Sequence, residues 1–441
     1  MVFTLRSFAT GCLGVVLHYG DPAPGDPVSA QLEAARAHAH HGPSGTGPRH
    51  GTALCLSGGG FRAAMFHLGA VRRLDELGLL GSLRTISAVS GGAIVANLLA
   101  DPGLGWPDPS GPPARVSGFE ECVAAPLHRL ASRNVRTPAM LSRLHPARWT
   151  RADSSVTMLA EQLQSAIPWW AGDLRETTRG GPVILTSATE VGYGVSWLFA
   201  DARSIAPRGR IGDHRLGYAA PPPGLRVADA VAASCSHPPF FAPLELDGRT
   251  LGLVGGVPDP DAPVEVREGI RSRIQLADGG VYDNLGLEPV WSDHAALLVS
   301  DGGSTLRGQP AGSTMSRLWH LLSIASGGGK TTRLRWLHAA YSAGSVHGAT
   351  WSLESPAPGY PSDVVSVINR VRTDLDAFSG AEQMVLERHG YLVTDAAVRR
   401  HAPQLPTLAT DLQPPHGQVG DPFAVSQMLR ESDRITPLGR H

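Results

Sequence analysis

Residues 53–92 read ALCLSGGGFRAAMFHLGAVRRLDELGLLGSLRTISAVSGG, and the rest of the chain is organised around this stretch. Ala53–Ser57 is a short apolar run that breaks at Gly58, Gly59 and Gly60. Apolar residues then recur at Ala64, Leu68, Val71, Leu74 and Leu77, one stripe of a 3.6-period helix. A strand, a glycine turn and a helix are therefore expected in that order. Glycines ahead of a helix leave backbone N–H groups unblocked, at the end where the helix dipole favours negative charge. Such a turn suits an oxyanion hole. Arg84–Val89 forms a second β-rich run that stops at Ser90-Gly91-Gly92 before the apolar AIVANLLA, which puts Ser90 on a strand-to-helix elbow.

An elbow matters because a serine hydroxyl is a poor nucleophile until it is exposed, fixed and deprotonated by a neighbour. The usual pattern is G-x-S-x-G; here it is Ala88-Val89-Ser90-Gly91-Gly92, with alanine in the first glycine position. Alone, a serine before two glycines reads as a tight turn closing a βα unit. Its pairing with the triple glycine one βαβ unit earlier favours a site. A base is also needed, and two aspartates qualify. Asp278 ends the strand in RIQLADGGVYDNLG, and Asp301 ends the strand in ALLVSDGGS. Both would project from the carboxyl end of a strand, where open α/β sheets hold their ligands, and spacing does not choose between them.

Four stretches together carry a family resemblance: SGGGFRA at 57–63, AVSGG at 88–92, ASCSHPPFFAP at 233–243 and ADGGVYDNLG at 277–286. In this order they resemble the patatin-like phospholipases, serine lipid acyl hydrolases similar to the catalytic domain of cytosolic phospholipases A. The resemblance implies a three-layer α/β/α fold with a central, mostly parallel sheet. It further implies that Gly58, Gly59 and Gly60 form the oxyanion hole, that Ser90 is the nucleophile, and that Asp278 is the base of a Ser-Asp dyad without histidine. Asp301 then reads as a turn cap through an Asx-type bond. Phe240 and Phe241 are expected to shape a hydrophobic channel. Arg62 is expected either to hold a substrate phosphate or to pair with a carboxylate. His237, just before two prolines, reads as a turn residue. Residues 372–397 resemble the terminal helices of bacterial members.

The implied reaction is phospholipase A or lysophospholipase cleavage of carboxylic esters. A non-lipid esterase or thioesterase and a binding module that has lost turnover are the alternatives. The expected partner is a lipid or membrane-surface substrate, with no cofactor. No metal is expected, since no calcium-binding C2 pattern occurs.

Bulk properties fit one large domain, because motifs spread over 58–280 must assemble within a single fold. The expected division is an N-terminal extension at 1–50, a catalytic domain at 51–400 with a helical insertion at about 101–181, and a tail at 401–441. A formal net charge of −1 gives no sign of a nucleic-acid partner. Four cysteines, Cys12, Cys55, Cys122 and Cys235, lack C-x-x-C spacing, and Cys55 reads as a core residue. No run of 18 apolar residues predicts a membrane span, and the region ahead of Cys12 makes a poor signal peptide. A cytoplasmic protein, peripheral at a membrane at most, is expected.

The insertion should hold helices near GFEECVAAPLHRLASR and SSVTMLAEQLQSAI, with Trp149, Trp169 and Trp170 nearby, and is a candidate lid. The tryptophans read either as interfacial side chains or, more simply, as helix-packing ones. Residues 182–200 read as two strands, and 201–224 as a loop outside the core. His38, His40 and His41 read as solvated surface residues. SIASGGGKTTRL at 323–334 looks like a phosphate-binding loop, but Ile324 stands where a Walker A motif needs glycine. Nucleotide binding is therefore not expected, and a polar connection between helices is.

Overall fold

The computed structural model describes residues 49–142, 154–175, 180–200, 211–257, 263–303, 314–436 and 438–440. The segment quoted above forms β1 (Thr52–Leu56), α1 (Gly60–Glu76), β2 (Thr85–Val89) and α2 (Gly91–Leu98). The chain then adds β3 (Val183–Glu190), β4 (Val195–Ala200), β5 (Ile211–Asp213), β6 (Gly217–Ala219), α3 (Val227–Ser234), β7 (Leu244–Leu246), β8 (Val254–Gly255) and β9 (Ile274–Asp278). After these come β10 (Ala296–Asp301), α4 (Thr314–Ser342), β11 (His347–Ser352) and α5 (Gly380–His401). Shorter helices are named below by their residues.

Among the described residues, one mixed sheet of 11 strands runs β11-β10-β1-β2-β3-β4-β5-β6-β8, with β9 pairing β3 and β7. Strands β11, β10, β1, β2 and β3 pair in parallel, and the remaining pairings are antiparallel. With helices on both faces, this is the three-layer α/β/α arrangement with parallel central strands expected from the sequence. The layers can be read from single strands, because successive side chains point to opposite faces. Leu54 and Leu56 of β1 join the larger core, on the side of α1 and α2, whereas Ala53 and Cys55 join a second cluster with Leu297, Val299 and Leu337 of α4. Both faces of the parallel strands are thus covered, which accounts for their continuous apolar runs.

Helices α1 and α5 cross at two glycines. A Cβ on Gly69 would collide with the Glu387 carbonyl oxygen, and one on Gly390 with the Phe66 carbonyl oxygen. Backbones can approach this closely only without side chains, so any larger residue there would force the helices apart. Helix α5 starts on a capping box: the Ser379 hydroxyl accepts the Glu382 N–H at 3.2 Å, and the Glu382 carboxylate accepts the Ser379 N–H at 2.7 Å.

Several expectations are corrected. SIASGGGKTTRL lies inside α4 as continuous helix, not in a connection between helices. Part of the 201–224 segment joins the sheet as β5 and β6, with Ile211 fully buried; residues 201–210 lie outside the described residues. Residues from 401 onward are not a loose surface tail: Val419, Val425 and Leu429 enter the main core. The Arg372 N–H also donates to the Ser432 carbonyl at 2.8 Å.

The insertion forms helices at Ala125–Ala131, Arg136–Leu141 and Ser154–Ala166, and Leu127, Leu130, Leu159 and Leu163 pack into that core. Trp170 is buried and stacks edge-on with half-buried Trp169, which is the helix-packing reading. Trp149, Cys12, His38, His40 and His41 lie outside the described residues. Among the described residues, no helix is long and apolar enough to cross a membrane.

Candidate active site

Strand register brings Ser90 to Asp278. Strand β4 lies along one edge of β3 from Leu185 to Glu190, so β2 and β9 must share the other. On that edge β2 pairs as far as Val89 with Ser187, and β9 takes over, antiparallel, with Asp278 opposite Ala188. The two strands therefore meet head to head. At the junction the chain leaves β2 through Ser90, whose backbone is held at φ 51°. A positive φ is rare for a residue with a Cβ and costs on the order of 1–3 kcal/mol. Ser90 and His416 are the non-glycine residues with positive φ among the described residues.

The elbow is secured by Ser234 at the end of α3. Its hydroxyl accepts the Ser90 N–H at 2.8 Å and donates to the Ser187 carbonyl at 2.6 Å. Ser90 is 6% exposed and Asp278 4% exposed, so both are buried. The Asp278 carboxylate accepts the Gly280 N–H at 2.7 Å, and the Ser90 hydroxyl is near enough to affect its charge. Burial raises the Asp278 carboxyl above the usual carboxylate range, opposed by nearby His237, the Gly280 N–H and the neighbouring Ser90 hydroxyl. Burial pushes the nearby Cys235 thiol up, further assisted by the Asp278 charge.

The glycine turn lies beside the elbow. A Cβ on Gly91 would overlap the Gly60 carbonyl oxygen, and a Cβ on Gly58 would sit 3.2 Å from the Ser90 Cβ. The three glycines are not equivalent as donors. The Gly58 N–H donates to the Asn284 carbonyl at 3.0 Å, whereas among the described residues no partner is found for the N–H groups of Gly59 and Gly60. These two glycines have φ of 143° and 59°. The turn is braced from behind: the Gly302 N–H donates to the Ser57 hydroxyl at 2.9 Å, and His67 spans from the Ser57 carbonyl at 2.9 Å to the Ser300 hydroxyl at 2.8 Å. The Phe61 N–H donates to the Asp374 carbonyl at 2.8 Å, so the RTDLDAF segment holds the start of α1.

The other sequence candidates fall in different places. Asp301 forms the expected Asx turn with the Gly303 N–H at 3.0 Å, and it also pairs with Lys330 at 2.8 Å. Arg62 is 2% exposed and donates to the Gly302 and Val371 carbonyls, at 3.3 and 2.9 Å. Two of its donors, Nε and Nη1, are thus held by backbone carbonyls. Phe241 is buried in the core, while Phe240 is 36% exposed, so only Phe240 faces outward. The His237 carbonyl accepts the Phe240 and Phe241 N–H groups in a turn. Sequence reasoning missed Ser234, Cys235, Asn284 and Asp374; the first three lie in recognised motifs, the last in the 372–397 stretch.

A mixed sheet carries a strained serine elbow, a glycine turn and a buried aspartate at one junction. The family model described as patatin-like phospholipase matches residues 54–111 and 211–291, segments that contain all four motifs. The match supports a lipid hydrolase. Among solved structures, VipD from Legionella pneumophila is similar at 14% identity over 80% of this chain and 67% of its own, with a TM-score of 0.33. Human GIVD cytosolic phospholipase A2 is similar at 15% identity over 58% of this chain and 43% of its own, with a TM-score of 0.33. No curated protein matches the chain.

Proposed function

We propose that the chain is a lipid acyl hydrolase of the phospholipase A or lysophospholipase type, working through a Ser90–Asp278 dyad. The observation that carries this reading is the junction where β2 and β9 end head to head on β3, which sets Ser90 on its strained elbow beside the buried Asp278 carboxylate and next to the glycine turn. Asp278 accepts the Ser90 proton as the oxygen attacks the ester carbonyl. The N–H groups of Gly59 and Gly60, rather than Gly58, face the resulting oxyanion. Collapse breaks the ester C–O bond, the Asp278 proton passes to the departing alcohol, and an acyl-serine remains. Water then loses a proton to Asp278, attacks the acyl carbon and releases the carboxylic acid, returning the proton to Ser90. Direct contact is what allows aspartate to act without histidine, and burial moves its basicity toward the working pH.

The test compares phosphatidylcholine, lysophosphatidylcholine and a p-nitrophenyl butyrate ester as substrates for wild type, Ser90→Ala and Asp278→Asn. Release of fatty acid from the lipids, lost in both variants, is expected. Cleavage of the soluble ester alone would make the protein a non-lipid esterase, and an inert wild type would make it a binding module.

A further inference from the structure

Far from the elbow, three side chains converge on one point. Glu387 of α5 is fully buried; its Oε2 lies 2.9 Å from His128 Nε2 and 2.7 Å from His416 Nε2. All three potential ligand atoms lie within 4.8 Å of one another. The other oxygen, Oε1, is held by Arg72 Nε at 2.7 Å. Arg72 lies 12 residues along α1 from Gly60, or about 18 Å at helical rise, so this cluster is separate from the glycine turn.

The hydrogen bonds around His128 fix its ring orientation. Gln383 Nε2 donates to the Phe378 carbonyl and to the Ser132 hydroxyl, each at 2.9 Å, which turns its Oε1 to His128 Nδ1 at 2.7 Å. An amide oxygen only accepts, so Nδ1 carries a hydrogen and the ring is turned with Nε2 aimed at Glu387 Oε2, the same oxygen that meets His416 Nε2. Two ring nitrogens and one carboxylate oxygen thus converge on a single point. Orienting a ligand histidine through a hydrogen bond on its other nitrogen, and a ligand carboxylate through its other oxygen, is the common outer shell of a metal site.

His416 adds an independent sign. It adopts φ 57° at the start of a one-turn helix, Gly417–Val419, so its ring is delivered by a backbone conformation few residues accept. The histidine side chains are 29% and 23% exposed, which leaves the outer side of the cluster open to a water ligand.

We propose that His128 Nε2, Glu387 Oε2 and His416 Nε2 bind one divalent transition-metal ion of the zinc class. Two imidazoles and one carboxylate suit zinc, at metal–ligand distances of about 2.0–2.2 Å. Tetrahedral binding sets the ligand atoms about 3.3 Å apart, a widening of about half an ångström that the partly exposed histidines accommodate. The ion joins the insertion helix, α5 and the C-terminal strap, three segments distant in sequence. It acts as a cross-link on the fold, and its binding energy adds to folding stability.

The test uses the untagged full-length chain carrying H38A, H40A and H41A, stripped with a chelator and titrated with Co²⁺ by absorbance and with Zn²⁺ by calorimetry. One equivalent of each ion is expected, with a rise in Tm. His416→Asn, which tolerates the left-handed backbone, and His128→Gln should each weaken binding by about 100-fold or more while the far-UV spectrum is kept. No uptake by the parent chain, which would leave the cluster as a protonated ion-pair network, overturns the proposal. So does uptake that both variants retain.

Discussion

Ser90 and Asp278 face each other because β2 and β9 end head to head on a single edge of β3, Val89 opposite Ser187 and Asp278 opposite Ala188. Neither residue depends on a long flexible side chain to reach the other. Their geometry is set by main-chain register, and a one-residue slip of β9 would turn Asp278 to the opposite face.

The acid limb of activity should report Asp278. The carboxylate is the active form, and burial raises its pKa, so activity is full above that pKa and falls as pH drops through it. The midpoint of kcat/KM is expected above the ordinary aspartate value of about 3.9. Asp278→Asn should lower kcat by about 10²–10⁴-fold without unfolding the chain. A pH–rate profile on a soluble ester measures both.

Ser234 positions the elbow without touching substrate. Ser234→Ala strips the partner from the Ser90 N–H and leaves a buried donor unpaired, a loss of about 1–3 kcal/mol. Lower kcat with little change in KM is expected, together with a lower Tm. Ser234→Thr, which keeps the hydroxyl, should recover part of both.

The unequal glycines give a sharper test of the oxyanion hole. Gly59→Ala must place a Cβ at φ 143°, 2.9 Å from the Gly302 carbonyl oxygen, and so must move the turn. A drop in kcat of about 10²–10³-fold is expected, as for removal of one hole donor. Steady-state kinetics of the folded variant distinguish this from a loss of substrate affinity, which would raise KM instead.

His67 makes the glycine turn sensitive to acid. Burial lowers its pKa from 6.5 to about 4, so between those values the unfolded chain binds the proton and the folded chain does not. Its contribution is intact above about 6.5 and is lost as pH falls toward 4, worth roughly 3 kcal/mol across the window. Denaturant titrations from pH 7 to 4 should show this loss. His67→Gln should be less stable at pH 7 and show a shallower pH dependence.

Much of this was legible in local pattern. The unbroken apolar run Ala53–Leu56 marks β1, covered on both faces, and the 3.6-period stripe from Ala64 to Leu77 marks α1. The motif order also singled out Ser90 and Asp278, which the sheet places at one strand junction. What escaped the sequence depends on long-range partners. That Gly58 is already engaged follows from the Asn284 carbonyl, more than 200 residues away. Arg62 looked available for an anion because nothing nearby in the chain shows that the Val371 carbonyl lies above it. The glycines of 327–329 look like a turn, yet they sit within α4, where the helix carries their local cost. The proline-rich C-terminus hides its buried Val419 and Val425 among polar residues, with no period to betray them.

The most direct test of the central claim is covalent capture of the nucleophile. Wild type, Ser90→Ala and Asp278→Asn would be incubated with a long-chain alkyl fluorophosphonate and the adduct located by peptide mass spectrometry. The account requires one adduct on Ser90, none on the Ser90→Ala chain, and slow labelling of Asp278→Asn. An adduct on another residue, or equal labelling rates for wild type and Asp278→Asn, would contradict it.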